Sequence, residues 1–128
     1  AEQLFIKSHT EHLPRRVGEF LKQQVRYEIN LRAHEKARQI NKDISSIKIK
    51  DTTSRWGSCS TKGNLNFSWR LIFSPEQVLD YVVAHEVAHL VHMNHGAAFW
   101  ILVDQLTTSR VPSQKWLKDN GSRLLSFG

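Results

Sequence analysis

The stretch HEVAHLVHMNH, His85 to His95, places four histidines and one glutamate at spacings of four, three and three. Four residues of α-helix turn through ~400° and rise about 6 Å, so His85 and His89 leave one face with imidazoles able to converge on one ion. Glu86 sits ~100° further round, within reach of a water on that ion but outside its ligand set. HExxH thus supplies two nitrogen ligands and a base, the equipment for metal-assisted hydrolysis.

A catalytic zinc takes three protein ligands and keeps one open position. No glutamate follows Glu86, which removes every site completed by a downstream glutamate and leaves His92, His95, Asp104 and Asp119. His92 shares the face of His85 and His89 but lies roughly 4.5 Å beyond His89 along a straight helix, too far to close on the same ion. His95 comes within reach if the helix ends around Met93 or Asn94 and the chain turns back, and Asn94 tolerates the left-handed conformation such an ending uses. The metal ligands are therefore taken as His85, His89 and His95, with Glu86 as general base and acid. His92 is expected behind the ligands or as an oxyanion donor, a role for which Arg70 and Arg110 are further candidates. The spacing HExxHxxxxxH is shared with metzincins, but these carry glycine where His92 stands and need a separate Met-turn. The one methionine here, Met93, lies inside the motif, so a metzincin fold is disfavoured.

These residues must be positioned by the elements around them. From Leu13 to Ile40, Leu13, Val17, Phe20, Leu21, Tyr27 and Leu31 recur at helical spacing, predicting one or two amphipathic helices with Gly18 as a weak point. SIKIKD sets Ile47 and Ile49 against Lys48 and Lys50, the period of a half-buried strand. The turn signal TKGN precedes strict alternation: Leu65, Phe67, Trp69 and Leu71 on one face, Asn64, Asn66, Ser68 and Arg70 on the other. SPEQ predicts a helix start, with Ser74 as N-cap, Pro75 at the first helical position and Gln77 closing a capping box. AAFWILVDQL reads as another helix; RVPSQKWL ends it at the proline and restarts with Ser113 as cap. The expected fold is α+β, a small antiparallel sheet packed on the HExxH helix with further helices. It is read as one domain over residues 1–128, in which residues 1–44 are helical, residues 45–73 form strands, and residues 74–128 hold the active-site and C-terminal helices.

The bulk numbers agree with that reading. A chain of 128 residues fits one core, and 40% hydrophobic with 23% charged residues excludes a disordered chain. No apolar run reaches the ~18–20 residues of a membrane span, and the first residues lack the apolar core of a secretory signal, so a cytoplasmic protein is expected. The lone Cys59 makes no internal disulfide, and with neither a CxxC nor a neighbouring histidine it is expected to be a small buried residue. The net charge of +6 is confined to residues 1–63, with thirteen Lys and Arg against seven Asp and Glu; residues 64–128 carry five of each. Such a half can attract nucleic acid or acidic protein, although a solvated helix surface is the plainer cause.

The stretches SRWGSCS, NLNFSWRLIFSP, VLDYVVAHEVAHLVHMNHGAAFW and PSQKWLK together resemble the YgjP-like metallopeptidase domain, a family allied to the SprT-like zincins. The resemblance covers about residues 45 to 120, and RWGSCS followed by HExxH and NHxxxFW is far more specific than HExxH alone. It implies zinc-dependent hydrolysis of peptide bonds, with one catalytic Zn2+ and a peptide or protein substrate. It also implies an edge strand above the active-site helix that pairs with extended substrate. Asn64 to Ile72 is taken as that strand, making Asn64, Asn66, Ser68 and Arg70 substrate contacts. Family members usually carry a further β-rich N-terminal region, so the chain is expected to be the catalytic half of a longer protein. Two other readings stand beside this one. In the first, a SprT-like protease docks its basic half on DNA; in the second, a non-catalytic module holds a structural metal. A structural site has no need of Glu86.

Overall fold

The computed structural model describes residues 14–125; Leu13, the start of the first expected helix, lies outside them. Helix α1, Arg15–Gln39, runs without a break past Gly18 and buries Val25, Ile29, Ala33 and Ala37. That spacing of four is a narrow apolar stripe, joined on the buried side by Lys36. Phe20, Tyr27 and Leu31, which contributed to the expected apolar face, are 57%, 64% and 51% exposed. The helix stops because Asn41 takes a left-handed φ of 54°. The N–H groups of Asn41 and Lys42 then turn back to the carbonyls of Arg38 and Ala37, satisfying two otherwise orphaned acceptors.

Three strands follow: β1 Ser46–Lys50, β2 Gly57–Cys59 and β3 Asn64–Ser68, ordered β1-β3-β2. The hairpin between β2 and β3 is antiparallel as expected, and Gly63 closes its turn at φ +83°. β1, however, pairs with β3 in parallel, so the sheet is mixed and not antiparallel. Alternation decides which face of a strand is buried but leaves the direction and order of its neighbours open.

The third strand is shorter than expected. It ends at Ser68, whose Oγ accepts the Arg70 N–H and caps a 3-10 helix over Trp69–Phe73. The guanidinium of Arg70 pairs with Asp51 and lies over the Trp69 ring, and the Trp69 indole N–H donates to Asp51 at 3.1 Å. Ser68 and Arg70 are consequently buried instead of lining an open polar face.

Ser74 donates its hydroxyl to Leu71 O at 2.7 Å and closes the 3-10 turn, so it does not cap the next helix. Helix α2, Glu76–Ala88, starts behind Pro75, whose carbonyl accepts the N–H groups of Val78 and Leu79. The expected capping box is replaced by a tertiary tie, since Gln77 O accepts the hydroxyls of Ser109 and Ser113.

α2 is buried along nearly its whole length by Val78, Leu79, Val82, Val83 and Val87. It packs against α1 and β2 and against two later helices, α3 Ala97–Leu106 and α4 Arg110–Leu125. Its Asp80 carboxylate meets Arg32 at 2.8 Å and Lys36 at 2.9 Å from α1 and accepts the Thr107 hydroxyl at 2.6 Å. Pro112 falls in the first turn of α4, where a missing N–H leaves no bond unmade. Ser113 lies inside that turn with its N–H on Ser109 O, so it does not act as the cap.

Candidate metal centre

Helix α2 ends at Ala88, about one and a half turns before the expected end at Met93 or Asn94. The next bonds tighten to three-residue spacing, from His89 N to Glu86 O, Leu90 N to Val87 O and Val91 N to Ala88 O. The Ala88 carbonyl also accepts the His92 N–H at 3.0 Å, which closes the last helical turn at residue 92. Asn94 is not left-handed, because Asn41 is the only described non-glycine residue with positive φ. The segment turns back through tightened bonds, and His95 arrives beside His85 and His89.

The nitrogen atoms of His85, His89 and His95 that could bind an ion lie within 4.8 Å of one another. Their ring centroids are 4.8 to 5.2 Å apart. His85 is half-buried, His89 buried and His95 exposed, so the cluster opens to solvent on one side. His92 stays outside the group and contributes its main chain: its carbonyl sits 2.9 Å from His89 Nδ1. A carbonyl can only accept, which places the proton on Nδ1 and leaves Nε2 of His89 as a lone-pair donor. Burial lowers the His89 pKa, opposed by that carbonyl, and favours the neutral ring a metal needs.

Aromatic side chains hold the cluster. Phe99, fully buried on α3, stacks on His89 at 4.4 Å and meets His85 and His95 edge-on. Trp100 touches His85 and His95 and carries the Arg110 guanidinium over its ring. One turn before His85, the buried Tyr81 lies edge-on to its imidazole, with its hydroxyl accepting from Gln114 at 3.2 Å. Burial pushes the Tyr81 phenol up, keeping it protonated.

Glu86 is buried at 5% exposure, with Oε2 3.1 Å from His85 Nδ1. Above it passes β2 at Gly57, where a side chain would be tightly crowded: a Cβ would stand 3.0 Å from Glu86 Cγ and 3.2 Å from Oε2. Two residues on, burial and the charge of Glu86 push the Cys59 thiol up to about 11, so no nucleophile is available there.

The other sequence candidates are placed elsewhere. Asp104 holds Arg110 through two contacts of 2.6 and 3.1 Å, and Asp119 pairs with Lys115. Arg70 is committed to Asp51. Asn64 and Asn66 bond Ser46 and Ser58 across the outer face of the sheet. β3, taken as the substrate-pairing edge, is the central strand with both sides occupied; the edge strand beside α2 is β2. Sequence reasoning missed Gly57; it placed His92 behind the ligands without seeing that the main chain makes the contact, and it had Phe99 in NHxxxFW without its place against the three imidazoles. Gly57 left a usable signal, a glycine within a strand, which marks close approach of another group.

Three imidazoles able to share an ion, with a carboxylate from the same helix beside them, are the makings of a metallopeptidase. The model of the YgjP-like metallopeptidase domain matches residues 3–120, and the chain belongs to that family. A search of the curated proteins gave no match, nor did one of the solved structures. Among the described residues no helix is long and apolar enough to cross a membrane.

Proposed function

We propose that this domain is a zincin-like metalloendopeptidase with one catalytic zinc on His85, His89 and His95 and Glu86 as its proton carrier. The observation that carries the reading is the convergence of these three rings beside a buried carboxylate that no described lysine or arginine pairs with. The donor set fits zinc: three imidazoles, one with its tautomer fixed, and an open solvent side for a fourth position. Bound there, the ion would supply Lewis-acid polarisation and bring the pKa of water from ~15.7 to about 7. Glu86 takes the proton of the attacking water and returns it to the leaving amine. Gly57 leaves that carboxylate its space.

The substrate strand is assigned to β2. Ser68 N bonds Trp56 O and Ser60 N bonds Asn64 O, so Trp56, Ser58 and Ser60 turn their main-chain groups towards β3. Gly57 and Cys59 then turn theirs away, to an edge with no partner strand among the described residues. An extended peptide pairing with them passes Glu86, with affinity from main-chain bonds. The single unpaired thiol suits a reducing, cytoplasmic setting. Cleavage of unstructured peptides by zinc-loaded wild type, lost in Glu86→Gln at equal zinc content, is the expected result. Equal cleavage by both proteins would refute the role of Glu86.

A further inference from the structure

The structure assigns to this site a preference for acidic peptide segments, recognised by cationic side chains lining concavities at the two ends of β2. The assignment rests on β2 being the substrate-pairing strand. One concavity, of about 260 Å³, lies on the outer face of the sheet, where Lys50 and Arg55 line it together with Ser58 and Asn66. The other, of about 220 Å³, opens beyond the β2–β3 turn, with Lys42 and Lys62 on one side and His89 and Met93 on the other. β2 connects them: Gly57 and Ser58 belong to the first, and Ser60 follows its last residue in the second.

Placement as well as ion pairing sets these four cations apart: Arg16, Arg26, Arg38, Lys48 and Lys118 also have no carboxylate partner among the described residues, but they line neither concavity. Arg32, Lys36, Arg70, Arg110 and Lys115 are each held by a carboxylate. Lys42, Lys50, Arg55 and Lys62 are exposed, and none has a carboxylate partner among the described residues. The two concavities hold one acid between them, Asp43 in the second. Asp51, the acid nearest the first, is consumed by Arg70 and Trp69. Four cations against the single acid Asp43 leave a net positive field that brackets the strand edge on which a peptide would lie.

Strand geometry turns that field into a pattern. Residues of an added strand alternate between the helix face, where Glu86 lies, and the outer face, where Ser58 points. Side chains on the outer face near the Gly57 end meet Arg55 first, with Lys50 deeper across the sheet. Those beyond Cys59 meet Lys62 and Lys42. A segment with acidic residues on both sides of the cleaved bond satisfies both ends, whereas a lysine-rich one is repelled at both. The Val91 and Met93 side chains, 41% and 44% exposed beside the second concavity, suit the aliphatic stem of a glutamate.

The test uses zinc-loaded protein and fluorescent decapeptides that differ only in carrying Glu, Gln or Lys at two positions flanking the centre. Binding is read by anisotropy on Glu86→Gln, which does not consume the peptide, and cleavage is read on wild type. At low salt the Glu peptide should bind about tenfold more tightly than the Gln peptide, and the gap should close towards 1 M salt. Adding Arg55→Glu and Lys62→Glu should turn the order round in favour of the Lys peptide, with zinc content unchanged. Equal binding of the Glu and Gln peptides, or a Glu preference that survives the charge reversal, overturns the assignment. So does duplex DNA that binds more tightly than the Glu peptide and displaces it, because these cations then form a nucleic-acid surface. Acid preference in binding without any cleavage refutes the peptidase and leaves the recognition standing; cleavage of all three peptides alike does the reverse.

Discussion

Gly57 and Glu86 occupy one slot: the missing side chain of the strand residue is the space in which the helix carboxylate sits, with 3.0 Å from a would-be Cβ to Glu86 Cγ. The same Cβ would come within 3.2 Å of Asn66 O, so it cannot retreat into the sheet. Gly57→Ala should displace the carboxylate by a few tenths of an ångström. A shift of that size should lower kcat by roughly 10-fold, less than the ~100-fold that a ~1 Å misplacement can cost. KM and metal content should stay near wild type. Overpacking should cost about 1–3 kcal/mol of stability, much of it recovered in a Glu86→Ala background. A wild-type kcat in Gly57→Ala, measured on a peptide substrate, would show that the slot does not govern Glu86.

Asp80 ties α1 to the helix that carries His85 and Glu86. Burial alone would raise its pKa, but the Thr107 hydroxyl, the hydrogen bond and charge of Lys36, and the Arg32 guanidinium outweigh it and hold the group below its ordinary 3.8. A carboxyl with a depressed folded pKa adds stability that is complete above the unfolded value and is lost as pH falls through the folded one. Its contribution should therefore be intact at pH 5 and above and fade below pH 3.8. Asp80→Asn should lower stability at neutral pH by about 2–4 kcal/mol, since it strands the buried Lys36 ammonium, and the gap to wild type should narrow in acid. Urea unfolding of both proteins across the acid range reads this, and a pH-independent gap would contradict it.

Cys59 lies near Glu86 and reports on it. In metal-free protein its alkylation rate should rise with pH towards a midpoint of about 11, leaving the thiol almost inert at neutral pH. Burial is the larger cause and the Glu86 charge the smaller, so Glu86→Gln should move the midpoint down without restoring an ordinary thiol. A neutral-pH alkylation rate like that of a free cysteine would contradict the placement of β2 over α2.

Sequence periodicity makes some of this fold legible and is silent on the rest. Leu65 and Phe67 are buried as their alternation demands, because one face of a half-buried strand meets the core. The same alternation continues through Trp69 and Leu71, yet the backbone has become a 3-10 helix; both side chains stay buried, and the local pattern carries no mark of the change. Arg70 reads as a solvent-facing residue until Asp51, nineteen positions earlier, draws it inside. The parallel pairing of β1 is equally non-local. At the candidate centre, helical spacing brings His85 and His89 together from sequence alone. The approach of His95 depends on the tightened turn after Ala88, and the slot under Gly57 depends on packing between distant segments.

The central claim, one ion shared by His85, His89 and His95, is tested most directly by elemental analysis of the purified domain after identical zinc loading and dialysis. The set is wild type, His95→Ala, His92→Ala and Glu86→Gln. About one zinc per chain is expected in wild type and Glu86→Gln, and also in His92→Ala, because residue 92 serves His89 through a main-chain carbonyl that alanine retains. His95→Ala should lose most of its zinc. Full occupancy in His95→Ala together with loss in His92→Ala would contradict the account, for it would put the third ligand on the wrong histidine.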